Sequence, residues 1–311
     1  PEPVEDVLSR VLPTAEVAPG DVPDLSVPDI LGDEREVDEA ILALERPIAI
    51  NIDDYEDAIS FILDLPKSDH SLELIGTFVL GEDEREEIMA VVDKWDDAGR
   101  DCGFLLMDLE TGGGLYYNID EVFFCASSIK AINLIAFAYY EPSIWSNYYS
   151  HMRAALVNSD NDSYELIFNA YSDNIPNLWR HRAHLGNQQY GRMYTYFSTR
   201  EFALLWCVNW DYLTQDTEEA ATFKEWLSST YRSSFAAEFN GRSGYTVCSK
   251  AGWNPFEYPT CVEGGYVTTP NGTYLLMVMT DRPGYPDQTL GPLVDALDDA
   301  YRAYVPLKAR E

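Results

Sequence analysis

Positive charge is what this sequence has least of. Its 21 lysines and arginines face 53 aspartates and glutamates, a net charge of −32. A surface of that sign repels phosphate backbones and anionic lipid, so nucleic-acid and membrane-surface binding are poor readings. Cysteine is scarce as well. Cys102, Cys125, Cys207, Cys248 and Cys261 show no CxxC spacing, which argues against a structural zinc site. An odd count leaves at least one free thiol in the monomer. No apolar run reaches the roughly 18 residues that a membrane-spanning helix needs. The chain opens Pro-Glu-Pro-Val-Glu, which does not read as a signal peptide; an exported chain without its signal and a cytosolic chain would both begin this way. What is present is ample core material: 46% hydrophobic and 13% aromatic residues exclude global disorder.

Composition divides the chain. Residues 1–30 hold six of the 17 prolines, and residues 1–50 carry 13 acids against three arginines. Residues 1–32 therefore read as an acidic, proline-rich linker. Residues 33–82 read as an N-terminal extension or small subdomain, and 83–311 as the main domain. Within it, Glu84–Ala98 has a helical apolar face of Ile88, Val91, Val92 and Trp95. Gly103–Leu109 and Leu115–Ile119 read as strands around a glycine-rich turn. Ala131–Tyr140 has no polar face except Asn133 and predicts a buried helix. Ser198 and Glu201 form a capping-box signature for a helix over Thr199–Trp210. Tyr245–Lys250, Cys261–Val267 and Tyr274–Thr280 predict three strands, and Leu290–Tyr304 a closing helix. Strands at both ends with helices between them imply one mixed α and β domain, its sheet assembled from both ends of the chain.

Only six lysines occur, and two stand in informative places. Lys130 follows Ser127 by three residues, which puts both on one helix face. A serine at a helix N-terminus needs a base to become a nucleophile, and a partly desolvated lysine one turn on can supply it. The free N–H groups of the helix start would face a developing oxyanion. Alone, SxxK is as readily an N-cap serine and a snorkelling lysine. It is followed, however, by Ser159-Asp160-Asn161 and then by Lys250-Ala251-Gly252 on a candidate strand.

SxxK, SDN and a lysine-containing strand triplet, in that order, resemble the signature of class A β-lactamases and penicillin-binding proteins. The resemblance covers about residues 84–305. It implies the serine β-lactamase/DD-peptidase-like fold: an antiparallel sheet flanked by helices, with a trimmed helical lobe beside it. It also implies roles. Ser127 would be acylated, with Lys130 as its base. Ser159 would relay a proton to the leaving nitrogen, and Lys250 would attract a substrate carboxylate. Asn161 would bind the substrate's amide. Ala251, Gly252 and Trp253 would line the substrate strand, with the N–H groups of Ser127 and Trp253 as the oxyanion hole. No metal or cofactor is called for. The implied substrate is a β-lactam or a peptidoglycan stem peptide. The implied location is extracytoplasmic, with tethering to a membrane through a segment before residue 1.

Departures qualify the resemblance. Ala251 replaces a hydroxyl-bearing residue. Class A lactamases activate the deacylating water with a glutamate in an Ω-type loop, yet residues 174–199 contain no Asp or Glu. That loop instead carries Arg180, His181, Arg182, His184 and Arg192, either a binding surface for an anionic fragment or bases paired with the acidic body. The missing carboxylate implies slow deacylation, or a non-catalytic relative that binds wall fragments or a protein partner. A second triplet, Ser172-Asp173-Asn174, competes with Ser159-Asp160-Asn161. It is disfavoured because Pro176 follows, a helix breaker. Tyr139, Tyr140, Trp145, Tyr148 and Tyr149 could stack on sugars or pack internally. Cys248 and Cys261 would pair only if strand register set them opposite each other; otherwise they remain free thiols.

Overall fold

The computed structural model describes residues 54–171, 174–186 and 193–308, with side chains to residue 305. All of these fall within one compact unit, Pro47–Glu311. Helix α1 (Tyr55–Asp64) starts at Asp54, whose carboxylate accepts bonds from the Glu56 and Asp57 N–H groups. Strand β1 (Leu72–Ile75) follows, then α2 (Glu82–Asp96), β2 (Cys102–Asp108), β3 (Gly114–Tyr117) and β4 (Val122–Phe124). A 3₁₀ turn at Ala126–Ser128 leads into α3 (Ile129–Tyr140). The helical region continues with α4 (Ile144–Val157), α5 (Asn161–Ala170) and α6 (Asn174–Arg182). Next come β5 (Tyr196–Ser198), α7 (Thr199–Leu213), α8 (Glu218–Leu227) and α9 (Ser234–Phe239). The chain closes with β6 (Thr246–Asn254), β7 (Thr260–Thr269), β8 (Gly272–Thr280), the single turn α10 (Pro286–Thr289) and α11 (Gly291–Lys308).

The six-stranded sheet has the order β1-β3-β2-β8-β7-β6, every neighbouring pair antiparallel. The early strands thus lie beside the late ones, as the sequence pattern implies. Strand β2 is buried along its whole length because both sheet faces are covered. Its alternation sorts the side chains: Leu105 and Met107 join the core beneath the helical lobe, while Phe104 and Leu106 join the core under α2 and α11. Strand β8 repeats this, with Leu275, Met277 and Met279 on one side and Leu276 and Val278 on the other. Helix α7 runs under the first face, its start fixed by the expected capping box between Ser198 and Glu201. Gly264 permits the close approach: a Cβ there would sit 2.3 Å from the Phe202 ring.

Several expectations need revision. The division at residues 82 and 83 separates β1 from β3, strands that the structure pairs through Leu72–Ile75. Helix α1 likewise buries Ala58, Ile59 and Ile62 and packs on α7. Arg200 ties it down through a bond to the Ile62 carbonyl and a salt bridge to Asp120 at 2.7 Å. The described part of the expected extension is therefore an integral wall of the domain. Pro176 does not break a helix; it lies in the first turn of α6, where the missing N–H costs nothing. The competing serine and aspartate at 172 and 173, like the linker 1–32 and Arg192, lie outside the described residues. The register sets Cys248 opposite Tyr266 and Cys261 opposite Trp253, so all five cysteines are free and buried.

Candidate active site

Ser127 sits in the turn that joins β4 to α3. The turn is held from both sides. Cys125 N–H donates to the Thr195 carbonyl at 3.0 Å, and Ser128 Oγ donates to the Cys125 carbonyl at 2.7 Å. Ala126 is held at φ +43°, a left-handed conformation that costs a non-glycine residue energy and is maintained here by its surroundings. Beneath runs β6. A Cβ at Gly252 would lie 2.4 Å from the Cys125 carbonyl oxygen and 2.9 Å from the Ser127 nitrogen. Only a glycine lets the strand pass this close.

Lys130 lies on the first turn of α3 and is fully buried. Its ammonium donates to the carbonyls of Ser159 and Asp160, at 2.7 and 3.2 Å, and to Asn161 Oδ1 at 2.7 Å. These acceptors converge because Ser159 adopts φ +58° and Asp160 caps α5, accepting from Ser163 N–H at 2.8 Å. Burial pushes the Lys130 amine down to about 8, against the smaller opposing pull of Asp160. No side chain among the described residues hydrogen-bonds Ser127 Oγ. The hydrogen bonds that Lys130 makes go to the Ser159–Asn161 loop instead.

Lys250 approaches from β6. It is fully buried, and its Nζ donates to Ser159 Oγ at 3.2 Å and to the Ala251 carbonyl at 2.8 Å. Burial, and then the neighbouring charge of Lys130, push its amine down to about 7, while Glu263 pulls the other way. Ser159 is thus placed between two lysines, and the charge of Lys130 disfavours that of Lys250. Asn161 Oδ1 accepts from both Lys130 Nζ and Tyr194 Oη, the latter at 3.2 Å. This double acceptance fixes the amide's orientation.

A cleft of about 350 Å³ is lined by Ser127 and Asn161 but not by Lys130, Ser159 or Lys250. Ala126, Ser127, Asn161 and Trp253 line it, with Phe124 and Tyr194 on one side and the run Asn254, Pro255 and Phe256 on the other. Ala251 is fully buried rather than part of this lining, and Gly252 lies under the Ser127 turn. Sequence reasoning missed Tyr194, Phe124 and Phe256. Phe256 could have been noticed, since it stands six residues after Lys250 and is 85% exposed. Tyr194 carries no local signal.

The other singled-out features pack elsewhere. Tyr139 rests on Trp179 at 5.3 Å and Trp145 on Trp226 at 5.8 Å, away from the cleft lining. In the loop, Arg182 pairs with Asp211 at 3.0 Å, His184 pairs with Glu56 at 3.0 Å, and Arg180 is buried over the Phe197 ring. These contacts fit the charge-pairing reading. Among the described residues no three His, Cys, Asp or Glu side chains gather as metal ligands.

Solved structures share this architecture. A β-lactamase from Sphaerobacter thermophilus superposes with a TM-score of 0.58 at 17% identity, over 72% of this chain and 98% of its own. PBP-A superposes at 0.56 and 16% identity, over 73% and 99%. This is the fold of the β-lactamase/penicillin-binding protein superfamily. A class A β-lactamase from Clostridium kluyveri agrees, with a TM-score of 0.54 at 16% identity over 70% and 99%. No protein-family model matches the chain, and no curated protein matches it in sequence. The β-lactamase-like fold is therefore carried here by a sequence far from those of these neighbours.

Proposed function

We propose that this protein is a penicillin-recognising serine acyl-transfer enzyme, acylated on Ser127 and slow to deacylate. The observation that carries the reading is the meeting of two buried lysines at Ser159 beside the Ser127 turn. A buried amine held near 8 is partly neutral at physiological pH and can accept a proton. Lys130 takes the Ser127 hydroxyl proton as Oγ attacks the lactam or D,D-peptide carbonyl. For this it must exchange one of its present carbonyl contacts for Ser127. The oxyanion is received by the N–H groups of Ser127 and Trp253. As the C–N bond breaks, the proton passes from Lys130 through Ser159 to the leaving nitrogen. Lys250 supplies the positive charge that draws the substrate's carboxylate, and Asn161 holds the acyl side-chain amide.

Hydrolysis of the ester needs a base for water, and residues 174–199 hold no carboxylate. The acyl-enzyme therefore persists. A mutant of the similarly folded PBP-A has been solved as an acyl-enzyme complex with penicillin G, the same class of adduct. Acting on such substrates places the protein outside the cytoplasm, where peptidoglycan is found. Among the described residues no helix is long and apolar enough to cross a membrane, so any tether belongs to other residues.

A second reading has a specific observation behind it. Lys130 spends its hydrogen bonds on the Ser159–Asn161 loop, and Ala251 offers no hydroxyl to a carboxylate. Both fit a non-catalytic cleft that holds wall fragments or a protein partner. Labelling with a fluorescent penicillin decides between them. Covalent label that disappears in Ser127→Ala supports the enzyme. Reversible binding with no covalent label supports the binding protein.

A further inference from the structure

A second cavity, of about 410 Å³, lies on the far side of the sheet between α2, the segment after β8, and α10. It shares no lining residue with the Ser127 cleft. Its walls are mixed: Val91, Trp95, Pro283, Tyr285 and Pro292 supply the apolar part, with Gln288 and Thr289 as polar groups. Lys94 from α2 and Arg282 from the end of β8 complete it. No Asp or Glu lines the chamber, although acids outnumber bases 53 to 21 in the chain. Elsewhere the arginines are largely committed: Arg100, Arg182, Arg200, Arg232, Arg242 and Arg302 all hold carboxylates. Among the described residues Lys94 and Arg282 hold none.

Trp95 is almost wholly buried, so only a fixed edge of it borders the cavity. Gly284 stands at φ +147°, and a Cβ there would collide with Thr289 Oγ1 at 2.5 Å. Tyr285 is held in place by the Arg232 guanidinium, 4.2 Å from its ring centre, and by the edge of Trp253. A volume of this size suits a ligand of small-molecule dimensions.

We propose that this chamber is a binding site for a small amphipathic carboxylate. Its apolar body would rest on Tyr285, Pro283 and Pro292, and its charge would be shared by Lys94 and Arg282. Two cations from separate elements form charge-assisted bonds to one carboxylate, and the surrounding acidic surface repels any anion that lacks the apolar anchor. The inference does not rest on acylation at Ser127.

Isothermal titration calorimetry with 4-phenylbenzoate, and with its neutral primary amide as control, tests it on the full chain. One-to-one binding is expected, about tenfold tighter for the carboxylate than for the amide. Lys94→Glu with Arg282→Glu should weaken it at least about tenfold, and Lys94→Gln with Arg282→Gln should do so without reversing charge. Phe256→Ala, in the other cleft, should leave it unchanged. Absence of binding, equal affinity for carboxylate and amide, or equal affinity in the wild type and both double variants would overturn the proposal. So would a loss caused by Phe256→Ala alone, which would put the probe in the Ser127 cleft.

Discussion

Lys250 Nζ stands 3.2 Å from Ser159 Oγ, and Lys130 Nζ stands 2.7 Å from the carbonyl of the same Ser159. One residue in a left-handed conformation therefore joins two buried amines. The first consequence concerns pH. Both amines are pushed down, Lys130 to about 8 and Lys250 to about 7, so each is neutral above its value and charged below it. The pair titrates together, and one proton leaves more easily than the second. The second-order rate of penicillin acylation should rise as Lys130 loses its proton and fall again as Lys250 loses the charge that draws the carboxylate, a bell centred on this window. Lys250→Gln removes that positive charge, so the falling limb should disappear and the rate should drop overall, while the rising limb set by Lys130 stays. A rate that is flat from pH 6 to 9 would contradict a lysine base.

The turn that carries Ser127 depends on the absence of a side chain at Gly252. A Cβ there would press on the Cys125 carbonyl and the Ser127 and Ser128 nitrogens. Gly252→Ala should cost about 1–3 kcal/mol of stability and lower acylation by more than its loss of folded protein. Thermal denaturation and adduct formation measured on the same preparation check this. A variant acylated at the wild-type rate would show that the turn is not positioned by the strand.

Behind Lys250, Glu263 is fully buried. It accepts from Ser249 Oγ at 2.7 Å and from the N–H and Oγ of Ser234 at 2.7 and 2.6 Å, and Ser233 Oγ donates to it as well. Burial pushes its carboxyl up, and these bonds oppose the shift. Glu263→Ala would leave several buried donors without an acceptor, at a cost of about 3 kcal/mol or more. A urea midpoint unchanged from the wild type would contradict this account.

Five buried free thiols make a simple count. Burial pushes Cys102, Cys125 and Cys261 up to about 12 and Cys248 to about 11. Ellman's reagent should react slowly with the native protein and should find five thiols after denaturation without reductant. Three thiols would reveal a disulfide.

The pattern of strands and motifs was legible because it is local. Apolar alternation, the turn glycines and the Ser198–Glu201 box are written within a few residues of one another. The order of SxxK, SDN and Lys250 then restricted the fold. What could not be read depends on distant packing. Leu72–Ile75 is four residues long and joins the sheet only because β3 has a free edge. Pro176 reads as a breaker until the helix is known to begin at Asn174. The left-handed φ of Ser159, whose carbonyl accepts from Lys130, has no sequence signal. Tyr194 reaches Asn161 across 33 residues, and Glu263 is one acid among 53 until its serines surround it.

Intact-mass spectrometry during incubation with penicillin G tests the central claim most directly. The account predicts a persistent mass increase of one penicillin, located on Ser127 by peptide mapping, absent in Ser127→Ala, and decaying slowly. Loss of the water-activating base lowers that decay by about 10²–10⁴-fold. A protein whose mass never changes while penicillin stays intact, or one that destroys the drug rapidly without accumulating an adduct, would contradict it.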